Sequence, residues 1–109
     1  VPELEIHPEA LRELSAATGR YADLAGRLVA DRFVDEIESA FSAVVSAPGI
    51  WNVVEEPGVR RYLVHRFPYA VYYRWERDSD RVVVHAVMHL SRRPGYWRGR
   101  TGRSRQRST

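Results

Sequence analysis

Arginine interleaved with aromatic and imidazole side chains is the most chemically suggestive feature of this 109-residue chain. Between Val59 and Leu90, a period-two reading gathers Arg60, Arg66, Arg74 and Arg81 with Tyr62, Tyr72, His85 and His89 on one side of a sheet. The segment Ser91-Arg92-Arg93-Pro94-Gly95-Tyr96-Trp97-Arg98 follows directly. Guanidinium groups hold phosphates and ring faces stack on bases, which is the chemistry of single-stranded RNA recognition. Tyr, Trp and Arg are also the residues enriched at protein-binding hot spots, so the same face suits a protein partner.

Positioning these groups requires a sheet, and the residue pattern supplies one. Leu4-Glu5-Ile6 alternates as a short strand, and His7-Pro8-Glu9 opens a helix, with His7 as its cap. Leu11, Leu14, Ala17 or Thr18, and Tyr21 form one apolar stripe, and the stretch between Gly19 and Gly26 is where that helix weakens or turns. Val29, Phe33, Ile37, Ala40, Phe41, Val44 and Val45 mark a second helix that Pro48-Gly49 ends. After a loop centred on Glu55-Glu56-Pro57-Gly58 come three β-rich runs, Val59–Phe67, Tyr69–Arg77 and Arg81–Leu90, joined by tight turns. The expected fold is α+β: a single domain of order β-α-α-β-β-β, its helical hairpin packed on one face of a mainly antiparallel four-stranded sheet.

Strand periodicity predicts which side chains meet the helices. Val82, Val84, Ala86, Met88 and Leu90 form one such set, and Tyr69, Val71, Tyr73 and Trp75 another. Val59, Leu63 and Phe67 are placed on the core side of the meander's first strand, leaving Arg60, Tyr62, Val64 and Arg66 outward; a one-residue register shift reverses that strand. His65 falls on the core side in this register.

Composition narrows the function classes. A chain of this length is one domain, and 44% hydrophobic with 28% charged residues is an ordinary globular balance. No apolar run reaches the ~18 residues of a membrane span, and the acidic opening VPELEIH does not resemble a secretory signal. Cysteine is absent, which excludes disulfides and thiolate chemistry and fits a cytoplasmic location. His85 and His89, four residues apart on a strand, are separated by ~13 Å, too far to share one metal ion. No metal site or cofactor is expected. The net charge of +3 hides a polarised chain. Residues 1–59 hold four arginines against eleven acids, and residues 60–109 hold thirteen against three. Codon bias accounts for arginine over lysine but not for this segregation, which suits an anionic partner. Residues 98–109 are basic, lack apolar side chains and read as a flexible tail.

The collinear set His7-Pro8-x-Ala10-x-x-Glu13-Leu14, Phe33, Val59-Arg60-Arg61-Tyr62, Arg66-Phe67-Pro68-Tyr69, Tyr72-Tyr73, Ala86-Val87-x-His89 and Arg92-x-Pro94-x-Tyr96-Trp97 resembles the RelE/ParE toxins of bacterial type II toxin–antitoxin systems. The resemblance implies a toxin domain over residues 1–97, inhibited by a cognate acidic antitoxin that covers the basic face. It also implies one of two activities. RelE-type members cut ribosome-bound mRNA, and ParE-type members poison DNA gyrase by protein binding without catalysis. A third reading is an inactive toxin fold kept as a partner-binding module.

The RelE-type site has basic residues on the meander's first strand, matched here by Arg60 or Arg61. Its second strand carries an early arginine, and here Ala70 departs from that pattern. Arg92 or Arg93 and Tyr96 match its C-terminal arginine and tyrosine, and His89 stands where related nucleases carry a histidine. Cleavage through the neighbouring 2′-hydroxyl needs an acid–base group and cations for the phosphorane. His89 is the acid–base candidate, Arg60, Arg92 and Arg93 are the clamps, and Tyr96 or Trp97 stacks the base. Arg61, Tyr62, Arg66, Tyr72, Arg74, Arg81, His85, Trp97 and Arg98 are then expected to bind RNA or antitoxin. The first expectation is the metal-independent endoribonuclease, with gyrase inhibition as the alternative.

Overall fold

The computed structural model describes residues 1–92; the candidates Arg93, Tyr96, Trp97 and Arg98 and the basic segment 98–109 lie outside the described residues. The chain runs β1 (Glu3–Ile6), α1 (Pro8–Ala25), α2 (Arg27–Ser46), β2 (Val53–Glu55), β3 (Val59–Leu63), β4 (Tyr69–Glu76) and β5 (Arg81–His89). The sheet order is β1-β5-β4-β3-β2, with β1 parallel to β5 and the other neighbours antiparallel. This is the expected α+β class with one strand more, because β2 lies in the stretch expected as loop. Three residues are too few for β2 to show a period in the sequence. Gly58, at φ 85°, makes the turn from β2 into β3 in a conformation L side chains rarely adopt.

Local chemistry sets the helix ends. His7 Nδ1 accepts from the Glu9 backbone N–H at 3.0 Å, and Pro8 occupies the first turn, where its missing N–H costs nothing. The helix break falls at Gly26 alone, whose φ of 91° admits the turn into α2. Gly19 stays helical because Ala17 is fully buried and Tyr21 packs on the core, and that packing outweighs the ~1 kcal/mol glycine penalty.

Both helices cover one face of the sheet. Ala10, Ala17, Phe33, Ile37, Ala40 and Val44 pack there against Val71, Tyr73, Val82, Val84 and Val87. The loop after α2 is tied to the sheet by Tyr73, whose hydroxyl donates to the Pro48 carbonyl at 2.8 Å in a buried site. Burial pushes the Tyr73 pKa up from 10.0 to about 12, against the opposing influence of Arg60. The unfolded chain therefore loses this proton first as pH rises. The stability Tyr73 contributes is complete below pH ~10 and is lost towards pH ~12. Urea unfolding across this window is expected to show about 1–2 kcal/mol more loss in the natural protein than in Tyr73→Phe. Parallel pH curves for the two proteins would refute this.

Candidate functional site

The decisive local feature is a bulge in β5. Tyr72 pairs with Ala86 and Tyr73 with Val84, so His85 is the extra residue, and it is buried. Before the bulge, Val82 and Val84 face the helices as expected. Beyond it the faces exchange. Val87 joins the helix-side core, whereas Ala86 and Met88 cluster with Val59, Ala70 and Tyr72 on the opposite face. The expectation that β5 alternates unbroken to Leu90 is thereby corrected, and His89 moves from the open face to the helix side. One inserted residue inverts every side chain after it.

The register of β3 is corrected too. Arg60 lies opposite Tyr73 and Tyr62 opposite Val71, which puts both on the helix side, and Val64 belongs to the core there. Val59, Arg61 and Leu63 take the open face, with Arg61 opposite Tyr72 and Leu63 opposite Ala70. The reason is packing: Tyr62 lies edge-on to Trp51 at 4.7 Å, and the Arg60 guanidinium reaches the loop after α2. Its Nη1 donates to the carbonyls of Gly49 at 3.1 Å and Trp51 at 2.6 Å.

The remaining arginines are dispersed. Arg81 is held by Glu76 at 2.8 Å and Glu5 at 2.7 Å, and these partners, Glu76 foremost, raise its pKa further. Arg66, at a positive φ of 71°, lies 3.9 Å from Glu36 of α2. His65, expected in the core, is exposed and lies 3.8 Å from that same carboxylate. Tyr72 and Arg74 occupy the open face by the alternation of β4, and the Arg74 Nε is buried with no hydrogen-bond partner. From strand spacing, Arg60 and His89 stand about 16 Å apart, four residues along β4 and two strands across.

What the fold does assemble is a recess where α1 crosses the end of β5. It is lined by Arg12, Glu13, Ala16, Arg20, Tyr69, Val87, Met88, His89 and Arg92, with a volume of about 180 Å³. Because β1 stops at Ile6, the Val87 N–H has no strand neighbour, and Glu13 Oε1 accepts it at 3.0 Å. Arg20 Nη2 donates to the Tyr69 hydroxyl at 3.0 Å. Tyr69 lies opposite His89 across the sheet, their rings edge-on at 5.2 Å. His89 Nδ1 accepts the Ser91 backbone N–H at 3.1 Å and lies 2.9 Å from the Ser91 hydroxyl, so neutral His89 carries its proton on Nε2. Of these residues, sequence reasoning had singled out His89 and Arg92 for chemistry and missed Arg12, Arg20 and Tyr69. Arg12 and Arg20 are eight residues apart on one helix face, but nothing in that spacing points to β5. Among the described residues, no group of three His, Cys, Asp or Glu could hold a metal ion.

A helical hairpin on one face of a mixed five-stranded sheet, with a short parallel edge strand, is an α+β fold of the RelE/ParE kind. The chain belongs to the ParE toxin family of type II toxin–antitoxin systems, whose model matches residues 4–94. It is similar to the structure described as the chromosomal ParDE toxin–antitoxin system from P. aeruginosa, with a TM-score of 0.70 and 22% identity over 81% of this chain and 95% of that one. It is also similar to the isolated E. coli RelE toxin, with a TM-score of 0.60 and 16% identity over 93% and 97% of the two chains. The intact E. coli RelBE complex matches at TM-score 0.60 and 17% identity, over 84% of this chain and 100% of that one. No curated protein sequence matches the chain significantly. Among the described residues, no helix is long and apolar enough to cross a membrane.

Proposed function

We propose that this ParE-family toxin acts in the cytoplasm as an inhibitor of DNA gyrase, binding it as a protein without catalysing a reaction, and that an acidic antitoxin encoded with it holds it inactive. The observation that carries this reading is the placement of Arg60. A phosphorane clamp needs a cation aimed at substrate, whereas the Arg60 Nη1 is bound to the Gly49 and Trp51 carbonyls on the helix side, which leaves Arg61 as the one open-face arginine of β3. Ala70, in place of the family's nuclease arginine, supports the same reading, as do the bulge that turns His89 away from the open face and the ParE family match. The antitoxin partner draws support from the similarity to structures described as the ParDE and RelBE toxin–antitoxin systems.

The purified full chain is expected to inhibit DNA supercoiling by gyrase in a defined assay. It should leave the template mRNA intact in a cell-free translation reaction. New 5′ ends that need engaged ribosomes and vanish with His89→Ala would overturn the proposal in favour of the endoribonuclease.

A further inference from the structure

We propose that the recess between α1 and the end of β5 is a binding site for a tetrahedral phosphate group, either free inorganic phosphate or the terminal phosphate of a nucleotide. Its hydrogen-bond donors converge from two elements, Arg12 and Arg20 from α1, His89 and Arg92 from the end of β5 and the turn after it. Arg20 is the centre of the case. Its side chain is held by a neutral phenol, Tyr69, and among the described residues it forms no ion pair with any carboxylate. The imidazole adds a second donor. Ser91 takes its Nδ1, which leaves Nε2–H for a ligand oxygen.

The rim modulates this charge without cancelling it. Among the described residues, Glu13 is the only carboxylate in the lining and is bound through Oε1 to the Val87 N–H, while Arg12 is paired with Glu9. Ala16 lies midway between Arg12 and Arg20, two helical turns that span about 12 Å. Its single methyl leaves the space that a longer side chain would close.

The number and spread of donors favour phosphate over carboxylate. A planar carboxylate is satisfied by one guanidinium fork, whereas a phosphate monoester presents three terminal oxygens and up to two negative charges. Those oxygens match Arg20, His89 and a rim arginine approaching from different sides. The recess volume of about 180 Å³ admits the group and not a whole nucleotide, so any base and sugar would lie outside.

The test follows the His89 ring resonances by NMR in the full chain at fixed pH and matched ionic strength. Inorganic phosphate is expected to shift them saturably where chloride does not. Arg20→Gln is expected to weaken that binding about tenfold or more. Ala16→Leu, which alters no charge and keeps a good helix former, should block it. A 5′-phosphorylated dinucleotide is compared with its unphosphorylated form. Tighter binding of the phosphorylated form than of phosphate alone assigns a nucleotide source, and equal binding assigns free phosphate. Three results would each overturn the proposal. These are a response to acetate equal to that to phosphate, which assigns the recess to a protein carboxylate, binding unchanged in both variants, or saturable binding of the unphosphorylated dinucleotide as tight as that of the phosphorylated one.

Discussion

Phe33→Ala is expected to destabilise the protein by about 3–5 kcal/mol and to lower its Tm by more than about 12 °C. Phe33 is fully buried at the centre of a ring cluster, 5.0 Å from Tyr21, 5.2 Å from Phe67 and 5.1 Å from Tyr69. Removing the ring takes away its transfer free energy, leaves a cavity and unseats three aromatic partners together. A domain of this size has only about 5–15 kcal/mol in total, so the variant sits close to unfolding. Tyr69 is also the residue that holds Arg20 and faces His89, so the cluster supports the recess as well as the core. Urea unfolding followed by tryptophan fluorescence reads the loss. A change under about 1 kcal/mol would mean that the cluster repacks around the gap.

Arg60→Met is expected to cost about 2 kcal/mol of stability. Two hydrogen bonds from a charged donor to backbone carbonyls are lost; one is solvent-exposed, so water replaces part of their strength. Trp51, which Arg60 anchors and Tyr62 packs edge-on, provides the local fluorescence signal. The variant distinguishes the two readings of Arg60 with one protein. If Arg60 is an anchor, its loss lowers stability, and template mRNA stays intact with either protein. As a phosphorane clamp, its loss would abolish mRNA cleavage and leave the unfolding curve where it was. The second outcome would remove the main support for gyrase inhibition.

Much of the family signature turns out to be structural. His7 caps α1, Pro8 opens it, Ala10 is fully buried under the helix, and Glu13 satisfies the Val87 N–H that β1 leaves without a strand neighbour. The cap and the opening proline act within one helical turn and are legible in the chain as written, whereas Glu13 meets Val87 across 74 residues. Arg60 shows the opposite case. Its place in an arginine-rich strand suggests an outward cation, and only the path of the loop after α2 brings two carbonyls within its reach. Arg20 shows the same gap from the other direction. Nothing near it in the chain points to Tyr69, 49 residues away.

By itself, the sequence determined the two helices, four of the five strands and their order, the α+β class and the polarised charge. Those follow from periodicity and composition, which act over a few residues at a time. The faces were decided by tertiary structure. Strand periodicity is a parity, and parity is lost at the first extra residue; the bulge at His85 and the packing of Tyr62 on Trp51 each inverted the expected sides. Which arginine anchors a loop, which pairs with a carboxylate and which lines a recess depends on neighbours that the fold alone brings together.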